Sequence, residues 1–196
     1  MENGSDGVSK SATASAQAKS EIQEYLEVSE QRHKLFPRAV AVGLVAGTVA
    51  VLFRALLAGG DVLRNGLVNW SHSMPALGWI FPLLFGAVGA VVAVWLVLRY
   101  APETGGSGIP HLKAVLDRLR DLSWTRVLVV KMISGVLALS SGLALGREGP
   151  TVQMGGAVAD GLARGMNLSS GDRLTLITAG AGAGLAAADP PPREWS

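Results

Sequence analysis

Cysteine is absent from the chain, which excludes a disulfide framework and a zinc–thiolate centre and leaves the redox compartment open. Charge is scarce as well: 16% of the 196 residues are Asp, Glu, Lys or Arg, against 49% hydrophobic, a balance foreign to an ordinary soluble domain. The formal net charge of +2 is too small to point to nucleic acid, and there is no basic stripe interleaved with aromatics. His33, His72 and His111 lack ligand spacing, so neither a metal site nor a cofactor is expected. The first 34 residues are polar without the charged-then-apolar order of a leader, so no cleavable signal peptide is expected.

What the chain does have is long apolar runs. Residues 1–19, rich in Ser, Ala and Gly, are expected to be a disordered tail. Ser20 with Gln23 fits a capping box, and Ile22, Leu26 and Leu35 mark a thin apolar stripe on a charged helix. Arg32, Lys34 and Arg38 then crowd the first apolar span, either as juxtamembrane anchors or as a solvated basic face, so 20–38 is read as a cytoplasmic amphipathic segment. Four apolar spans follow: 39–58 with only Arg54, 75–98 with no charge, 127–146 with only Lys131, and the short 174–188. Residues 150–166 have a helical period but weak hydrophobicity, which suits a protein-lined interior better than lipid. The expectation is an all-α, polytopic helical protein, integral to the lipid bilayer and multi-pass.

Lys and Arg number five in 1–38, one in 59–74 and five in 99–126, which places the N-terminus in the cytoplasm. Trp70, Trp79 and Trp124 lie near span ends, as an interfacial belt would have them. Gly43 with Gly47, Gly142 with Gly146, and Gly161 with Gly165 repeat at the four-residue spacing that lets helix backbones approach, and are read as packing positions.

Two loops carry the chemistry: Gly105-Gly106-Ser107-Gly108-Ile109-Pro110 and Gly146-Arg147-Glu148-Gly149-Pro150. Each sets a polar side chain among glycines and opens a helix with proline, aiming free backbone N–H groups at a common polar spot that suits an anion. Glu148 follows an apolar run, where an unpaired carboxylate costs about 2.5 kcal/mol or more. Ionised, it can occupy the anion site as a tethered competitor; protonated, it can swing away. Desolvation and the helix dipole act on its protonation in opposite directions. The alternative is an ion pair with its neighbour Arg147, although adjacent helical residues do not face each other. Ser107 offers a hydroxyl donor without fixed charge, so an anion can bind and still leave. The alternative is a flexible Gly-Ser linker, against which stands the amphipathic continuation through Leu112, Val115 and Leu116. Arg147 serves either as counter-charge or, the favoured reading, as a structural donor to loop carbonyls. Asp160 and Arg164, four apart, pair most simply with each other. No nucleophile, metal-ligand set or nucleotide loop accompanies Glu148, so an enzyme is not expected.

At these residues the chain closely resembles the CLC family of chloride channels and chloride/proton exchangers. GSGIP (Gly106–Pro110) and GREGP (Gly146–Pro150) match the family's signatures, as do TVQMGG (Thr151–Gly156) and AGAGAGLAAA (Ala179–Ala188). The resemblance covers roughly residues 20–188. It implies chloride as transported substrate, protons as well in an exchanger, a homodimer, and a fold of two inverted repeats of which this chain holds the first, incomplete. It makes Ser107 the central chloride ligand and Glu148 the gate. Gly106, Gly108, Ile109 and Pro110 belong to one anion-binding loop, and Gly146, Arg147, Gly149 and Pro150 to the other.

The pattern stops at Ala188, where the family continues with a Phe-Asn-Ala-Pro-like stretch and this chain has Asp-Pro-Pro-Pro-Arg-Glu-Trp-Ser. Three prolines and charge cannot continue a membrane helix. Bases encoding Arg-Glu-Trp-Ser, read in a shifted frame, can give Ala-Gly-Met-Val, close to the family's Ala-Gly and apolar residues. The tail 189–196 is therefore expected to reflect a frameshift near codon 188. The family's third anion-contacting loop, its coordinating tyrosine, its inner proton-transfer glutamate and most of its dimer interface are not among these residues. A chloride channel and an exchanger are equally compatible with what is present, and the chain by itself is expected to be inactive. The alternative is a non-transporting membrane subunit that associates with an intact transporter.

Overall fold

The computed structural model describes residues 5–74 and 77–188, with side chains from residue 35 on. Those residues form helices only, as the apolar runs predict: α1 (Ser5–His72), α2 (Ile80–Tyr100), a 3-10 turn (Pro102–Thr104), α3 (Ile109–Leu116), α4 (Trp124–Ser140), α5 (Glu148–Gly165) and α6 (Ser170–Ala188). The chain divides into two units, residues 1–38 and residues 39–196, and the architecture below is that of the second. α1 begins at Ser5, inside the stretch 1–19 expected to be disordered; Ala and Lys there are good helix formers. Side chains of that stretch, and most of those at 20–38, lie outside the described residues, as does the tail 189–196.

The segment 59–74, which lies between the first two expected spans, is helical to His72. Gly59 and Gly60 suggest a break, but each costs a helix only about 1 kcal/mol, and packing outweighs that. A Cβ on Gly60 would lie 1.9 Å from Ser140 Oγ, so this glycine seats α1 against the end of α4. Beyond the turn, the Trp70 ring meets Phe81 edge-on at 5.1 Å and ties the end of α1 to the start of α2. Along α1, Val42, Ala46, Ala50, Phe53 and Leu57 are buried at intervals of three or four residues, a single stripe. Phe53 and Leu57 pack with Met154 of α5 and with Leu128, Met132, Val136 and Leu139 of α4.

Of the four expected spans, two helices among the described residues are long and apolar enough to cross a membrane: Leu35–His72 within α1, and α2. The 21 residues of α2 reach about 31 Å, the thickness of a hydrocarbon core. Only Ala93 of α2 is buried, so its apolar surface is not the inside of a soluble core. α4 and α6, with 17 and 19 residues, are shorter or carry charge.

The interior belongs to α5. Residues 149–151, 153–160 and 163 of α5 are buried, which accords with the protein-lined reading of 150–166. Its backbone lies directly on α6: a Cβ on Gly155 would be 2.2 Å from the Gly180 carbonyl oxygen, and one on Gly184 would be 2.2 Å from the Thr151 carbonyl oxygen. The glycines singled out by spacing are different ones. Among the described residues Gly43, Gly47, Gly146 and Gly165 meet nothing within 4 Å, Gly142 sits in a turn at φ 96°, and of these six only Gly161 packs, under the Trp124 ring. Four-residue spacing marks a possible helix face but not whether a neighbour covers it.

At the far end of α5 the expected Asp160–Arg164 pair is present at 3.0 Å, and Arg173 of α6 joins it on the other carboxylate oxygen. Asp160 is wholly buried, and Arg164 also donates to the Leu122 carbonyl at 3.0 Å. One carboxylate thus fastens α5 to α6 and, through Arg164, to the segment before α4.

We expect Gly155→Ala to destabilise the chain by about 3 kcal/mol or more, because even a Cβ meets backbone that cannot move aside. Gly43→Ala should be neutral or stabilising by up to about 1 kcal/mol. Thermal unfolding of the two variants in detergent checks this, and equal losses would refute the assignment of the close helix contact.

Candidate functional site

The polar loop after α2 is shaped by two glycines at positive φ, Gly106 at 66° and Gly108 at 78°, on either side of Ser107. Gly108 is the N-cap of α3 and no side chain caps that helix. The first helical residue is Ile109, with Pro110 second, one place later than a proline start predicts. The Leu112 N–H bonds the Gly108 carbonyl at 3.0 Å, so the amides before it are left for other partners. Ser107, Gly106, Ile109 and Pro110 are exposed, while Gly108 is buried.

α5 begins at Glu148 itself, with Arg147 as N-cap and again no side-chain cap. Pro150 is the third residue and contributes no N–H, so it leaves no buried donor unmet. Thr151 Oγ1 donates to the Glu148 carbonyl at 2.8 Å and to the Arg147 carbonyl at 3.3 Å, which fixes the first turn from inside. Glu148 is exposed, as are Gly146 and Arg147, whereas Gly149 and Pro150 are buried.

Gly149 brings the two loops together. A Cβ there would lie 2.7 Å from the Ser107 carbonyl oxygen and 2.9 Å from Ser107 Cβ. Further along, a Cβ on Gly156 would lie 2.7 Å from Leu112 Cδ1, so α3 and α5 start side by side and run the same way. Two uncapped helix N-termini therefore share one polar spot, each with the partial positive charge of its dipole.

Behind that spot stands Lys131. It is 4% exposed, and its Nζ donates to the carbonyls of Thr104 at 2.7 Å and Gly106 at 2.6 Å. No carboxylate pairs with it among the described residues. Two carbonyl oxygens there stand in for the water that an ammonium group loses on burial, and one of them belongs to the Ser107 loop. Sequence reading registered Lys131 only as a lone charge in a span; that isolation was the available signal. Gln153 is the other residue missed. Wholly buried on α5, it donates from Nε2 to the Glu103 carbonyl at 3.1 Å and lies 3.4 Å from His111 Nδ1. Its Oε1 has no partner among the described residues and lies against Gly108, where a Cβ would come within 2.1 Å.

Arg147 does not pair with Glu148. Its guanidinium lies 3.6 Å from Asp61 of α1, which also takes Arg64 at 3.4 Å. The structural reading of Arg147 is thus met by a carboxylate rather than by loop carbonyls.

The family model for voltage gated chloride channels matches residues 88–188. The H(+)/Cl(-) exchange transporter ClcA of Cronobacter sakazakii is 43% identical over 152 residues, covering 76% of this chain and 32% of that protein. The ClcA of Vibrio cholerae serotype O1 is 37% identical over 173 residues, covering 85% of this chain and 36% of its own length. The crystal structure of a slow cyanobacterial Cl-/H+ antiporter superposes with a TM-score of 0.74 at 35% identity, covering 76% of this chain and 35% of the antiporter. The chain spans about a third of the length of the curated relatives it matches.

Lys131→Met should leave the Thr104 and Gly106 carbonyls unpaired, at about 1–3 kcal/mol each, offset in part by removing a buried charge. The expected signature is faster amide hydrogen exchange across 104–108 with α6 unaffected. Unchanged exchange there would show that Lys131 does not hold the loop.

Proposed function

The chain belongs to the voltage-gated chloride channel family, and on that premise we propose that it forms one wall of a chloride pathway across a bilayer. The observation that carries this reading is the meeting of two uncapped helix N-termini at Ser107 and Gly149, with the unpaired Lys131 cation behind. That arrangement is positive without presenting a full charge at the surface, so it holds a halide weakly enough to release it. Ser107 is the hydroxyl ligand of the bound chloride. The amides of 106–109 and 146–149 are its backbone donors, and Glu148 is the gate.

Glu148 suits that role because it is the first residue of α5 and its side chain is free of Arg147. As a carboxylate it is drawn to the helix N-termini and competes with chloride; once protonated it loses that attraction and leaves. Chloride movement then rises as pH falls, and a proton accompanies the gate, in keeping with the exchange activity that the relatives' names state. By the positive-inside rule the end of the helices carrying Arg99, Arg118, Arg120, Arg126, Arg164 and Arg173 faces the cytoplasm, and the five Lys and Arg within 1–38 assign the N-terminus to the cytoplasm by the same rule.

The exposure of Ser107, Ile109 and Glu148 means that this wall is open on its anion-facing side. An anion in a pathway closed on one side only remains solvated, so the 196-residue chain alone should not support chloride efflux from liposomes. A second reading, a non-transporting subunit beside an intact relative, is favoured by Gly43 and Gly47, whose small faces meet nothing within 4 Å among the described residues. Co-purification with a full-length relative would support it.

The test is a chimera in which residues 39–188 replace the matching part of a ClcA relative. We expect chloride flux that increases at acid pH, and Glu148→Gln to make flux independent of pH. Ser107→Ala should weaken chloride binding about tenfold, as loss of one hydrogen bond of about 1.4 kcal/mol does. A pH response that survives Glu148→Gln would sink the gate assignment. Chloride efflux from liposomes holding only this chain would overturn the one-wall reading.

A further inference from the structure

Away from the anion site, a groove of about 620 Å³ runs between α2 and α4. Its walls are Leu96 on one side and Val129, Val130 and Ile133 on the other, and its end is set by Arg99 and Arg126. Val129 is 50% exposed and Ile133 47%, so these apolar walls lack a protein cover among the described residues. Arg99 lies in the last turn of α2 and Arg126 in the first turn of α4, and neither pairs with a carboxylate among the described residues. The Tyr100 ring lies 5.7 Å from the Arg99 guanidinium and meets Trp95 edge-on at 5.9 Å, an aromatic pair at the level where a span ends. Through Thr125 and Arg126 the groove adjoins a second cavity of about 710 Å³, lined also by Asp121 and by Arg164 and Arg173. Both of those arginines are already held by Asp160, so the cations left unpaired here among the described residues are Arg99 and Arg126.

Positive charge is thus gathered at one end of the groove, and the remainder is aliphatic. A soluble anion would gain nothing from Leu96 or Ile133. A zwitterionic lipid offers the two arginines a phosphate whose charge its own ammonium offsets, so a lipid of net negative charge uses the site most fully. The ligand that uses both has a phosphate at one end and an acyl chain at the other. We propose that this groove binds an anionic membrane phospholipid, with its phosphate between Arg99 and Arg126 and an acyl chain along the α2–α4 seam. The proposal rests on the reading that α2 crosses the bilayer. Such a lipid bridges two helices, one of which carries Lys131 just beyond Arg126, so bilayer composition acts on the helix that holds the anion loop.

The test uses the full chain in non-ionic detergent, equilibrated with equal amounts of phosphatidylcholine and phosphatidylglycerol, and the lipid retained on purification is quantified. We expect several-fold enrichment of phosphatidylglycerol, reduced to the bulk ratio by Arg99→Gln with Arg126→Gln and unchanged by Arg120→Gln, which lies outside the groove. Ile133→Trp, which fills the apolar wall while keeping both arginines, should lower retention of both lipids. Inorganic phosphate should not displace the lipid. The proposal fails if retained lipid matches the bulk ratio, if Arg120→Gln does equal damage, or if inorganic phosphate displaces the lipid and so marks a soluble-anion site. Flotation with liposomes separates the two readings. A chain that floats without lipid preference ends this proposal alone, and one that does not float ends the bilayer-crossing reading together with it.

Discussion

The structure depends on glycines at the points where one helix brings its backbone against its neighbours. α5 touches the Ser107 loop through Gly149, α3 through Gly156 and α6 through Gly155. At Gly149 and Gly155 the opposing atom is backbone, which cannot rotate away as a side-chain terminus can. With no side chains between them, polar main-chain groups come close enough to build a site from amides and carbonyls. The weak hydrophobicity of α5 follows from this: small residues bring little apolar surface, and a helix enclosed by protein does not need it.

Two buried charges sit on this framework and are treated oppositely. Asp160 is shared between two arginines, so its charge is matched locally and its work is mechanical. Lys131 is given only carbonyl oxygens, which solvate it without cancelling it. Burying an unmatched cation is costly, and its position directly behind a loop flanked by two helix N-termini gives the cost a use. Neutral dipoles orient the site and a recessed charge sets its sign.

The all-α class and the two loops were legible in the sequence because glycine and proline act locally: Gly106, Gly108, Pro110 and Pro150 announce backbone geometry within a few residues. The interior position of α5 was legible from its hydropathy. What was not legible depends on residues far apart in the chain. The attachment of Arg147 to Asp61, and of Lys131 to the Gly106 carbonyl, requires knowing which helices are neighbours. Glycine spacing misled for a related reason. In a chain with 25 glycines the four-residue interval recurs by composition, and only the presence of α6 distinguishes Gly155 from Gly43. The stretch 59–74 was read as lying between two spans because the contact that continues α1 there, Gly60 against Ser140, involves another helix.

The shared carboxylate at the far end of α5 also bears on which inherited changes the chain tolerates. Loss of either Arg164 or Arg173 leaves Asp160 with a guanidinium still in place, so each arginine shelters the other. Loss of Asp160 strands both at once. The three residues therefore stand as one unit with a single weak point, the aspartate. The damage from losing both arginines exceeds the sum of the two single losses, since only the second leaves a wholly buried carboxylate without a partner.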